Sequence, residues 1–109
     1  LRRELDDPSV TIIVGDLVLF EVLAGLRSAR MVEEVRDLLF SLTVVGMAGP
    51  DLALRAVGHF RHLRQLGITP RTVDLFIATY CVAVGDALLT RDRDFDRLVE
   101  PMGLRLAAG

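Results

Sequence analysis

The chain has 109 residues, 51% of them hydrophobic, and a formal net charge of −2, which fits one domain with ample apolar material for a core. That balance excludes a global basic footprint for nucleic acid, so any such contact has to come from a local patch. No stretch approaches the roughly 18–20 uninterrupted apolar residues of a membrane span, no signal-peptide pattern opens the chain, and the lone Cys81 excludes an intramolecular disulfide and favours a reducing, cytoplasmic setting.

The opening "LRRELDD" has no Met and carries the charge pattern of a helix end before a turn at Asp7-Pro8; an upstream segment is therefore expected to be absent. "VTIIV", Val10 to Val14, is β-branched and bounded by Pro8 and Gly15, which predicts a buried strand. Asp16 is placed to cap a helix over Leu17–Ser28, with Gly25 as its weak point. Over Met31–Leu42, Val32, Val35, Leu38 and Leu39 recur at helical spacing and leave Glu33, Glu34 and Arg36 to solvent. "TVVGM" predicts a second strand. Pro50 then opens a helix reaching Leu66, with Leu52, Ala56, Phe60 and Leu63 as its stripe and Gly67 as its stop. "TPRTVDLFIATYCVAVG" predicts a third strong helix closed by Gly85. "ALLT" and "GLRLA" supply two more short strands, and "FDRLV" between them about one helical turn. Strands separated by helices predict an α/β fold, a single domain over 1–109 in which a short parallel sheet is flanked by helices in a three-layer sandwich.

Two helices each carry one acid in an otherwise apolar run. From Leu17 through Leu26 the charged side chain is Glu21, and from Thr72 through Gly85 it is Asp74. A carboxylate in such surroundings loses hydration, so it acquires a partner or protonates, and the sequence is expected to offer neither acid a neighbouring base. The plainer readings are that Asp74 sits in a first turn capped by Thr72, where the helix dipole favours negative charge, and that Glu21 reaches water from a helix edge. Asp92 and Asp94 follow "ALLT" at a strand's carboxyl end, where α/β sheets collect ligands. Helices starting near that edge bring Asp74 and Glu21 toward them. Gathered carboxylates repel unless a divalent cation neutralises them, and hard oxygen donors suit Mg²⁺ or Mn²⁺. Alone, Asp-x-Asp equally describes two acids capping the next helix.

Taken together, "DLVLFEVLAGLRS" and "TVDLFIATYCVAVGDALLTRDRDF" resemble the PIN-domain ribonucleases, specifically the VapC-type toxins of toxin–antitoxin pairs. The likeness spans nearly the whole chain and rests on order: Glu-x-x-x-Gly in a helix, Asp before "LFIAT", and Thr-x-Asp-x-Asp-Phe after a short strand. It implies a Mg²⁺-dependent endoribonuclease with Glu21, Asp74 and Asp92 at the family's acidic positions. Asp94 is implied as a further acid of the metal site, touching the ion or acting through a ligand, and Thr90 as the residue orienting the loop. The family's first acid, at the end of an amino-terminal strand in a stretch like Asp-Thr-Ser, has no counterpart here, so the domain is expected to lack its first strand. The resemblance also implies an RNA substrate, a VapB-type antitoxin that covers the site, and a homodimer.

Arg91, Arg93, Arg27 and Arg30 are candidates for RNA phosphate contacts, against the alternative of surface ion pairs. His59 and His62, spaced i,i+3, share a solvated face rather than a metal, because no third ligand accompanies them. Two other functions remain open. One is a catalytically silent PIN-like module that binds a partner protein. The other, ranked well below, is a phosphatase of the haloacid dehalogenase type, whose Asp-x-Asp belongs after an early first strand and not near the carboxyl terminus.

Overall fold

The computed structural model describes residues 11–107; the expected turn at Asp7-Pro8 and the start of the first strand at Val10 lie outside them. Strand β1 (Ile13–Gly15) pairs in parallel with β2 (Thr43–Val45), Ile13 opposite Thr43, Val14 opposite Val44 and Gly15 opposite Val45. Parallel neighbours need a crossover, and two helices provide it, α1 (Asp16–Ala24) and α2 (Ala29–Phe40). Helix α1 ends at Ala24, short of Ser28, because Gly25 is its C-cap. Ser28 instead serves α2, its hydroxyl accepting from the Met31 backbone N–H at 3.1 Å.

Asp16 does not cap α1. Gly15 holds the N-cap position without a side-chain bond, and Asp16 Oδ1 accepts from the Met47 backbone N–H at 2.9 Å. That bond ties the chain leaving β2 to the start of α1. The same corner needs a glycine, since a Cβ on Gly15 would fall 2.0 Å from Met47 Sδ.

Helix α3 (Pro50–Gln65) opens on its proline and buries Ala56 and Leu63 of the expected stripe. Helix α4 (Thr72–Val84) is the most deeply set, burying Asp74, Leu75, Ile77, Ala78, Thr79 and Cys81. Thr72 is not its cap; Arg71 stands there, and no side chain caps the helix. Gly85 closes it as expected, in the left-handed region at φ 78°, a conformation that disfavours any side chain with a Cβ. A 3-10 turn over Arg93–Phe95 leads into α5 (Asp96–Met102).

The strands expected at "ALLT" and "GLRLA" shrink to one parallel bridge between Leu88 and Leu106. Leu88 N–H donates to the Arg105 carbonyl and Ala107 N–H to the Leu88 carbonyl, each at 2.8 Å. The fold is thus α/β, with five helices among the described residues about a short parallel sheet. Its core runs from Met47 through α3, α4 and α5 to Leu104, with Leu17 and Val18 of α1 packed against it. Leu63, Leu98 and Leu104 are sealed from water, each such side chain contributing about 1.5–3 kcal/mol by burial. No helix among the described residues is long and apolar enough to cross a membrane.

Candidate active site

Helical spacing decides where the two isolated acids go. Asp74 lies three, four and seven residues before the buried Ile77, Ala78 and Cys81, so it rides on the core-facing side of α4. It is 5% exposed. Glu21 lies three and four residues after Val18 and Leu17, the side chains that dock α1 on the core, and is carried inward with them to a half-buried position.

A buried carboxylate without a partner is strongly unfavourable, and, against the expectation of no neighbouring base, Asp74 has one in Arg71, three residues before it. Arg71 Nε donates to Asp74 Oδ2 at 3.2 Å and Arg71 Nη2 to Asp74 Oδ1 at 3.0 Å, a fork on both oxygens. The third guanidinium nitrogen, Nη1, stands 3.8 Å from Glu21 Oε2. Asp92 is near enough to add its charge. The hydrogen bonds and charge of Asp74, followed by the charges of Glu21 and Asp92, raise the pKa of Arg71 above its ordinary value. Two acids from separate helices therefore contact one cation, Asp74 through the fork and Glu21 at 3.8 Å. Arg71 escapes a reading of the apolar helix alone because it precedes the first helical residue; its i,i+3 offset from Asp74 is the signal that finds it.

The acidic loop has local work as well. Asp92 N–H donates to Thr90 Oγ1 at 3.0 Å, and Asp92 Oδ1 accepts from the Asp94 N–H at 2.9 Å, so Asp92 caps the 3-10 turn. Thr90 orients the loop through that bond. Asp94 is exposed and is not among the charges acting on Arg71. Arg27, Arg91 and Arg93 are exposed, while Arg30 pairs with Glu34 at 3.1 Å on the surface of α2. His62 is exposed and His59 half-buried; burial, then the neighbouring His62, lowers the pKa of His59. A shallow hollow lined by Arg55, His59 and Thr79 is built on other residues than the acids.

In kind, Glu21, Asp74 and Asp92 fit a hard divalent cation: their side-chain donors are all oxygen, and the charge they already surround is positive. As they stand, no three His, Cys, Asp or Glu side chains among the described residues close to ligating distance of one point. The guanidinium of Arg71 lies between Asp74 and Glu21.

Residues 1–101 match the PIN domain family, and the chain belongs to it. Among solved structures, the fold is similar to VapBC2 from Rickettsia felis, determined bound to a DNA fragment from their promoter, with TM-score 0.77 and 21% identity, covering 97% of this chain and 80% of that one. It is also similar to VapBC-1 from nontypeable Haemophilus influenzae, with TM-score 0.76 and 17% identity over the same shares of the two chains. No curated protein sequence matches the chain.

Proposed function

We propose that this PIN-domain chain is a metal-dependent endoribonuclease, the toxin of a VapBC-type toxin–antitoxin pair. The observation that carries the proposal is the pairing of Asp74 of α4 and Glu21 of α1 with one cation. In this reading Asp74, Glu21 and Asp92 hold Mg²⁺, with Mn²⁺ as a substitute, and Asp94 supports Asp92. When bound, such a metal would supply a water of lowered pKa and neutralise charge on the leaving oxygen. The chain's own residues do the rest. Asp74, fixed by the packing of α4, would supply one ligand, and Glu21 a second from α1. Thr90 and Asp94, through the hydrogen bonds of the 3-10 turn, set the direction of the Asp92 carboxylate. The exposed Arg91 and Arg93 flank that turn and offer the RNA backbone charge and paired donors.

For the partner, the similar folds come from VapBC complexes, and α1 and α2 expose Phe20, Val22, Leu38 and Phe40. Exposed apolar side chains of that kind suit burial against an antitoxin segment and a second copy of the chain. A reducing, cytoplasmic setting fits the buried free thiol of Cys81. The deciding experiment is cleavage of total RNA by the complete open reading frame with and without Mg²⁺, alongside Asp74→Asn. Cleavage that needs Mg²⁺ and disappears in the variant supports the reading. One observation favours the silent module instead, the use of Asp92 as a turn cap. Absence of cleavage together with capture of the antitoxin would establish that alternative.

A further inference from the structure

Arg71 differs from the other described arginines in its setting. Its fork occupies both oxygens of Asp74, while its remaining nitrogen faces Glu21. Its own side chain is 65% exposed, against 7% for Asp74 and 36% for Glu21. The carboxylate is therefore fixed and the cation that neutralises it lies toward solvent with room to leave. An ordinary ion pair at a helix start would engage one acid; this one faces acids of both α1 and α4.

We infer that Arg71 is the resident counter-cation of the acidic site, and that a divalent cation enters by displacing its guanidinium from Asp74 and Glu21. The inference rests on the metal reading above. A Mg²⁺ ion bound to Asp74 stands about 2.1 Å from a carboxylate oxygen. A guanidinium still hydrogen-bonded to that carboxylate would then put two positive charges almost in contact, where their repulsion is severe. One has to go, and the exposed, jointed arginine goes more readily than the buried acid. Arg71 thus keeps the metal-free protein folded by neutralising a buried charge, and the same contact opposes metal uptake. Both consequences follow from a single bidentate pair, so they change together.

The test is a calorimetric Mn²⁺ titration of the full chain, parent against Arg71→Gln, with thermal melts in chelator and in Mn²⁺. Arg71→Gln should melt lower in chelator and bind Mn²⁺ about tenfold more tightly, the size of one lost charge-assisted competitor. A purely structural role moves the melt and leaves the affinity where it was. If Arg71→Gln does not fold, the parent decides alone. Its Arg71 Nε–H resonance, shifted by the Asp74 bond in chelator, should move to the position of a free arginine as Mg²⁺ saturates the site. A folded variant with unchanged or weaker Mn²⁺ affinity overturns the inference, as does an Nε–H signal that stays put at saturating Mg²⁺. Failure of the parent and the variant alike to take up metal overturns the metal reading itself, and this inference with it.

Discussion

The two halves of the molecule are packed differently. From Met47 onward, α3, α4 and α5 share a continuous core and bury side chains on every helix. Helices α1 and α2 bury none fully, and Phe20 and Leu38 stand 70% and 67% exposed. A helix as apolar all round as α1 is ordinarily covered on all sides. The candidate site straddles the boundary between the halves. Asp74 belongs to the packed half, where position is set by close contacts that resist movement; Glu21 belongs to the half held mainly through Leu17 and Val18. A site built this way has one rigid acid and one that follows its neighbours, which explains why Arg71 makes a tight fork with the first and a looser contact at 3.8 Å with the second.

The largest expected effect tests the contrast directly. Leu63→Ala removes a side chain with no exposure and should cost about 2–5 kcal/mol in urea unfolding. Leu38→Ala, on the exposed side of α2, should stay within about 0.5 kcal/mol. Equal losses at the two positions would mean that the halves are equally well packed.

The next effect lies at the corner joining them. Gly15→Ala places a methyl group where Met47 Sδ now lies, and overpacking of that kind costs about 1–3 kcal/mol. Met47 is itself buried, so it cannot simply swing into solvent. Combining the change with Met47→Ala should recover part of the loss, and a double-mutant cycle measures how much. Additive losses would show that Gly15 and Met47 do not compete for space.

This corner also marks the limit of what the sequence discloses. Helical periodicity located α2, α3 and α4, and the α/β class followed from alternation of elements. Asp16 was expected as a local cap because Asp before an apolar helix usually is one; its actual acceptor role spans 31 residues to Met47, a separation no local pattern carries. Likewise "ALLT" and "GLRLA" have strand composition, yet pairing needs a partner in register, and only Leu88 and Leu106 make the bridge. At the candidate site, Glu21 and Asp74 are legible as charges out of place in apolar helices. Arg71 is not, because it sits just outside the helix, and its function depends on a carboxylate of α1 brought near by tertiary packing.

A smaller effect comes from the core of the packed half. Burial, and then the charge of Asp86, push the Cys81 thiol from 9.0 up to about 11. Below about pH 9 the thiol is protonated in folded and unfolded chains alike, and its contribution to stability is fully present. Between about pH 9 and about pH 11 the unfolded chain ionises first, so stability should fall by up to about 1.4 kcal/mol per pH unit. Urea unfolding across that range, with Cys81→Ala as the reference, isolates the thiol from the other groups that titrate there. An identical pH profile in the variant would show that burial does not perturb Cys81.

The smallest predicted change in stability is the one that separates two uses of Asp92. Its carboxylate accepts from the Asp94 N–H, a task an asparagine carbonyl performs equally well, since Asn and Asp are comparable caps. Asp92→Asn should therefore shift stability by less than about 0.5 kcal/mol, whereas Asp92→Ala, which deletes the acceptor, should cost about 1 kcal/mol. Metal affinity should follow a different order. Asn retains the cap and loses the charge, so if Asp92 helps hold the cation both variants lose Mn²⁺ affinity, and Asn loses nearly as much as Ala. If Asp92 is only the start of the 3-10 turn, Asn binds Mn²⁺ like the parent. Melts and Mn²⁺ titrations of the two variants thus read the cap and the charge independently, and an Asn variant with parental Mn²⁺ affinity would remove Asp92 from the metal site while leaving its place in the turn intact.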